Sequence, residues 1–157
     1  LLHDVGKIGV DDAILRKPGR LTDKEFSDIK NHTVIGSQIL SRISSMPELQ
    51  YGALYHHERW DGKGYPRGLK GEEIPEAARI IAVADAYDAM TSNRSYRKAL
   101  TQDCVHDEIV NGIGRQFWPP AARAMLKMMD QDIHYDMRQK NDESSQNDEQ
   151  KYEYGIS

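Results

Sequence analysis

Apolar residues along this chain recur mainly at helical spacing, with little of the strict alternation a half-buried strand needs, so the pattern predicts an all-α protein. Lys17-Pro18-Gly19 is a turn. Thr22-Asp23-Lys24-Glu25 has the form of a capping box, in which a hydroxyl and a carboxylate satisfy the free amides of a helix start. Behind it Phe26, Ile29, Ile35, Ile39 and Ile43 fall at helical spacing. His32 lies three residues from both Ile29 and Ile35 and shares their inward face. Pro47 marks the break. A second helix is predicted from Glu48 into His57, with Leu49 and Ala53 placed so that His56 and His57 turn inward. Trp60 to Pro75, glycine-rich and punctuated by proline, reads as loop. A third helix begins near Glu76 and carries Ile81, Asp85 and Asp88 on adjoining positions of one face. Thr101 caps a fourth with Val105 and Ile109, and Pro119-Pro120 open a last one through Ala124, Leu126 and Met129.

The two ends break this pattern. Leu1-Leu2 run straight into His3-Asp4 with no capping signal, which reads as a chain cut inside a helix. From about Arg138 the residues are polar and almost free of aliphatics. The expected organisation is one N-terminally truncated domain at 1–137 and a disordered tail at 138–157. A length of 157 residues with 38% hydrophobic is enough for a single core. The net charge of −4 argues against a broad basic surface for DNA or RNA, though not against a small anion held through a metal. A single cysteine, Cys104, rules out an internal disulfide and suits a reducing cytoplasm. No apolar run approaches the roughly 20 residues that span a bilayer, and no signal peptide is visible.

The candidate chemistry lies where imidazoles and carboxylates meet inward faces. His3-Asp4, His32, His56-His57 and Asp85 come from four predicted elements. Taken singly, a histidine on an apolar face is an ordinary core residue, and a His-Asp pair means little. Jointly they are a ligand set, because a buried carboxylate is costly unless it is paired or metal-bound. Four of the six histidines fall in the first 57 residues; His106 and His134 read as ordinary. Mixed imidazole and carboxylate donors suit Fe, Mn, Zn or Co better than Mg or Ca. Two such ions about 3.5–4 Å apart can activate a bridging hydroxide and clamp a phosphoryl oxygen. Lys7, three residues after Asp4, either serves that phosphate or is a surface lysine. Glu58 and Asp61 are candidate acceptors for orienting the imidazoles, and Asp88 is grouped with them as a supporting residue. Tyr65 either stacks on a nucleobase or plugs its loop onto the core. Arg94 and Arg97 either fork onto a phosphate or complement a helix end.

Those residues, read as strings, resemble one family. His3-Asp4-Val5-Gly6-Lys7, His32, the run from His56-His57-Glu58-Arg59-Trp60-Asp61-Gly62-Lys63-Gly64-Tyr65-Pro66, Val83-Ala84-Asp85-Ala86-Tyr87-Asp88-Ala89-Met90-Thr91 and Arg94-Ser95-Tyr96-Arg97 are similar to the HD-GYP domain. That is a subgroup of the HD metal-dependent phosphohydrolases. The resemblance covers about Leu1 to Pro120. It implies an all-α HD-type bundle with the metal site in its interior, and hydrolysis of the bacterial second messenger cyclic di-GMP to pGpG and/or GMP. It further implies His3, Asp4, His32, His56, His57 and Asp85 as ligands of two or three iron or manganese ions, with Asp4 bridging. Lys7 and Asp4 would act at the scissile phosphate, and Tyr65, Arg94 and Arg97 would hold the dinucleotide. Implied partners are an upstream receiver or sensory module of a two-component system and diguanylate cyclase proteins.

The chain departs from the family at two places. A preceding helix, with a further His ligand and in three-metal members a Glu, is not in this chain. Gln116-Phe117-Trp118-Pro119 stands where Phe-Asp-Pro is usual. Two alternatives stay open at this stage: an HD-type hydrolase of another nucleotide, and a non-catalytic cyclic di-GMP receptor or adaptor.

Overall fold

Helices start where the sequence supplies acceptors for free amides. Thr22 and Glu25 close the capping box, with the Thr22 hydroxyl accepting from the Glu25 amide at 3.3 Å and the Glu25 carboxylate accepting from the Thr22 amide at 2.7 Å. Thr101 accepts from the Cys104 amide, and Pro119-Pro120 occupy the first turn of the last helix, where no amide donor is needed. The computed structural model describes residues 2–17, 19–93, 98–132, 134 and 136–138. A 3-10 helix at Leu2–Gly9 precedes α1 (Asp12–Leu15), α2 (Asp23–Leu40), α3 (Glu48–Tyr55), a 3-10 turn at Gly71–Glu73, α4 (Glu76–Thr91), α5 (Gln102–Gly112) and α6 (Pro119–Gln131). No strand occurs among the described residues, as the periodicity requires.

Two layers of contact organise these elements. The 3-10 helix and α3 pack on α2, and α3 passes the chain to α4. On its other side α4 packs with α5 and α6 around Val83, Tyr87, Val105, Ile109, Phe117, Ala122 and Met129, the main apolar cluster. Helix α4 therefore separates a polar interior from an apolar one.

Three expectations need correction. Helix α2 stops at Leu40 instead of reaching Ile43, because Ser41 caps it and a turn carries the chain through Arg42 and Ile43. Its buried face is His32, Thr33, Gly36 and Leu40, whereas Phe26, Ile39 and Ile43 are exposed. The reason is steric. The 3-10 helix lies so close to α2 that a Cβ at Gly6 would overlap the His32 carbonyl and the Gly36 amide, so that face must be built from small residues. Helix α3 ends at Tyr55, and His56 and His57 occupy the turn after it.

At the far end the Arg138 guanidinium donates to the Leu100 carbonyl at 3.0 Å and to the Gln102 side chain. The ordered contacts thus include Arg138, which the sequence assigned to the tail; residues 139–157 lie outside the described residues.

Candidate metal centre and its cleft

Four elements deliver the ligand-type side chains to one place. The N-terminal 3-10 helix supplies His3, Asp4 and Lys7; α2 supplies His32; the turn after α3 supplies His56 and His57; α4 supplies Asp85. His3 Nε2 is 3.3 Å from Asp85 Oδ1 and 3.5 Å from Asp4 Oδ2. The other oxygen of Asp4 is 3.5 Å from His32 Nε2 and 3.9 Å from His56 Nε2. The His56 and His57 rings are 4.1 Å apart between centroids, and His32 is 5.2 Å from His57. Donor atoms of His32, His56 and His57, and likewise of His3, Asp4 and His56, all lie within 4.8 Å of one another.

Burial and hydrogen bonding prepare these rings as ligands. His32 Nδ1 lies 2.6 Å from the Ile29 carbonyl, and His56 Nδ1 lies 2.9 Å from the Ala53 carbonyl. A carbonyl can only accept, so Nδ1 carries the proton in both rings and each Nε2 presents a lone pair. Those two Nε2 atoms face each other at 3.4 Å. Burial pushes the His56 pKa down to about 4, helped by the neighbouring His3 and His32. Burial lowers His32 and His57 as well. Two neutral imidazoles with converging lone pairs and no proton between them repel, and a cation between them removes the repulsion. The donor set therefore fits a divalent transition metal.

The carboxylate side is charged. Burial pushes Asp4 upward, but hydrogen bonds from His3 and from Lys7, whose Nζ is 2.6 Å away, outweigh it and hold the carboxyl well below its usual range. Asp85 behaves alike, with His3 overcoming burial. In turn Asp4 and Asp85 raise His3 to about 9.

Beside this cluster a cleft of about 640 Å³ opens, lined by His56, His57, Asp85, Tyr65, Lys30 and Phe26 among others. Tyr65 stacks on the His57 ring, with centroids 4.8 Å apart and 27° between the planes. Its loop, with a cis Tyr65–Pro66 bond, is held by Glu58, which is 3% exposed and accepts from the amides of Arg67, Gly68 and Leu69 at 2.7–3.1 Å.

This corrects the expectation that Glu58 and Asp61 orient imidazoles. Backbone carbonyls do that for His32 and His56, while the Asp61 carboxylate is forked by Arg59 at 2.8 and 3.0 Å. Asp88 lies about one turn beyond Asp85 on α4, half-buried and outside both donor groups. Arg94 and Arg97 lie outside the described residues. Sequence reasoning missed Lys30 and Phe26 as cleft residues. Phe26 sits in an apolar series that read as core, and Lys30 is two residues from His32, a spacing that points away from it on an ideal helix.

Comparison with known proteins agrees with this geometry. A family model described as "HD domain" matches residues 1–138. A cyclic di-GMP phosphodiesterase of Thermotoga maritima is 48% identical over 149 residues, covering 93% of this chain and 40% of that protein. The cyclic di-GMP phosphodiesterase response regulator RpfG of Xanthomonas campestris is 47% identical over 129 residues, 80% of this chain and 34% of that protein. The chain thus spans well under half the length of these relatives. Among solved structures, a cyclic GMP-AMP specific phosphodiesterase of Vibrio cholerae superposes with a TM-score of 0.60 at 18% identity, over 93% of this chain and 40% of that one, a likeness of fold.

Proposed function

The chain belongs to the HD domain family and to its HD-GYP group, and on that premise we propose that it is the catalytic part of a metal-dependent phosphodiesterase that hydrolyses cyclic di-GMP to pGpG and/or GMP. The observation that carries this reading is the pair of His32 and His56 Nε2 lone pairs converging at 3.4 Å beside Asp4, on the wall of a cleft large enough for a nucleotide ligand. Relatives that bear the name cyclic di-GMP phosphodiesterase support the substrate.

His3, Asp4, His32, His56, His57 and Asp85 would hold the ions, two or three of iron or manganese. Asp4 is suited to bridging, since one oxygen faces His32 and His56 and the other faces His3 and Lys7. Bound divalent ions supply the Lewis acidity that makes water a nucleophile at neutral pH and neutralises phosphoryl oxygens. The chain's own groups do the rest. The Lys7 ammonium, fixed by Asp4 and 45% exposed, offers its remaining donors to the scissile phosphate. Tyr65 buttresses His57 and walls the cleft, and Arg94 and Arg97 would hold the dinucleotide. The upstream receiver or sensory module of the response-regulator type and diguanylate cyclase proteins complete the proposed partners. No described helix is long and apolar enough to cross a membrane, and the exposed thiol of Cys104 suits action in the cytoplasm.

Protein loaded with Mn(II), or anaerobically with Fe(II), should convert cyclic di-GMP to pGpG or GMP on chromatography. His56→Ala should lower turnover by at least about a thousandfold, the scale of losing a key transition-state contact. Intact cyclic di-GMP alongside cleavage of another cyclic dinucleotide in the same panel would refute the substrate. Intact substrates throughout, with metal tightly bound, would point to a receptor.

A further inference from the structure

The cations around the cleft are not equivalent. Arg59 lines it, but its guanidinium is forked onto Asp61 at 2.8 and 3.0 Å and so is already neutralised. Lys7 is held by Asp4 at the ligand cluster, where its remaining donors face the phosphate that is cut. Lys30 and Lys63 also line the cleft, and among the described residues no carboxylate pairs with the ammonium of either. Lys63 is exposed on the loop, where its charge acts on the nearby Asp61 carboxylate. Lys30 is half-buried on α2, and its Nζ stands 4.4 Å from the centroid of the Phe26 ring and 5.4 Å from that of Tyr65. Two aromatic rings from different segments thus hold one unpaired ammonium in place. The Phe26 and Tyr65 rings meet edge to face at 6.3 Å, so the three side chains form one wall.

That wall meets the ligand cluster through the Tyr65 ring. Tyr65 touches Lys30 on one side and stacks on His57 at 4.8 Å on the other. A cyclic dinucleotide carries two phosphodiesters on one small macrocycle. When one of them lies at the ligand cluster, the other lies a nucleotide's width away, still within the same cleft. An ammonium positioned over aromatic faces and without a carboxylate partner among the described residues is a ready partner for that second anion.

We propose that Lys30, positioned by Phe26 and Tyr65, binds the phosphate that is not being cut, and so helps the protein favour cyclic dinucleotides over simple diesters. The inference rests on the reading of the cleft as a cyclic dinucleotide site. The rival account is that the Lys30 stem merely covers the exposed Phe26 one turn earlier, as i,i+4 neighbours do.

The test uses the metal-loaded protein and two substrates: cyclic di-GMP and bis(p-nitrophenyl) phosphate, which has one phosphodiester and cannot reach a second subsite. Lys30→Met keeps the stem and removes the charge. It should raise KM for cyclic di-GMP by roughly tenfold or more, the size of one charge-assisted hydrogen bond, with the loss falling on KM far more than on kcat. Added salt should weaken the wild type's grip on cyclic di-GMP more than the variant's. The loss in kcat/KM on the simple diester should be several-fold smaller, and Lys30→Arg should recover most of the affinity. An unchanged KM in Lys30→Met, or equal losses on both substrates, would overturn the assignment. A wild type that cuts the simple diester but leaves cyclic di-GMP intact would overturn the substrate reading instead, and the role of Lys30 with it.

Discussion

The two sides of α4 are built on opposite rules. Toward α5 and α6, Val83 and Tyr87 join Val105, Ile109, Phe117, Ala122 and Met129 in a cluster of ordinary apolar packing. Toward α2 and α3 the interior is lined by His32, His56, Thr33, Gly36, Gly52 and Ala53, with Asp85 of α4 closing it. One side has large side chains and few polar atoms. The other has close backbones, neutral imidazoles and charged carboxylates. Stability and the candidate chemistry are thus separately housed, with the apolar half as the platform on which the ligand-type residues are held at fixed separations.

The largest stability effect should therefore come from the half that holds no ligand. Ile109 is fully buried in the apolar cluster, and Ile109→Ala should cost about 2–5 kcal/mol in urea unfolding, the range for a truncated core isoleucine. Metal affinity of the fraction that remains folded should hardly move. A matched loss of metal binding in folded protein would break the comparison.

A middle effect is expected at Glu58, which belongs to neither rule. Its carboxylate is buried beside the cluster yet contacts loop amides. Glu58→Ala leaves the Arg67, Gly68 and Leu69 amides without their charged acceptor and should cost about 1–3 kcal/mol. It should also lower turnover, because the same loop carries Tyr65 onto His57. Glu58→Gln, which keeps two of the three contacts, should recover part of both; failure of the two readouts to move together would separate loop from ligand.

The smallest effect should lie at the surface. The Lys17 ammonium and the Thr22 amide and hydroxyl lower the Glu25 pKa from about 4.5 to about 2. A depressed carboxylate contributes stability above its unfolded value and loses it as pH falls through the folded one. The stability deficit of Glu25→Gln relative to wild type should be constant above about pH 5 and shrink toward pH 2. A deficit independent of pH would show that shape, not charge, maintains this cap.

Much of this division is legible in the sequence. Thr22, Thr101 and Pro119-Pro120 announce helix starts through chemistry confined to one turn, and the structure begins α2, α5 and α6 there. Val105 and Ile109 read as core and are core. His3, Asp4, His32, His56, His57 and Asp85 stand out because such residues are rarely gathered without a reason, and the fold brings them together. The inward face of α2 was legible only at His32, since Thr33 and Gly36 are buried for their smallness and the apolar pattern records only hydrophobicity. Glu58 was misread because its partners are amides nine to eleven residues away, and no local motif marks a carboxylate for that task. Lys30 was invisible because its significance depends on Tyr65, which only the folded loop brings near.

The converging His32 and His56 lone pairs are proposed to be a metal centre. The most direct test is a Mn(II) titration of the wild type and His56→Ala, followed by electron paramagnetic resonance of the free ion. The wild type should take up Mn(II) stoichiometrically, and His56→Ala should weaken binding by roughly a hundredfold or more, beyond the cost of losing a mere supporting residue. Equal uptake by both proteins would contradict the proposal.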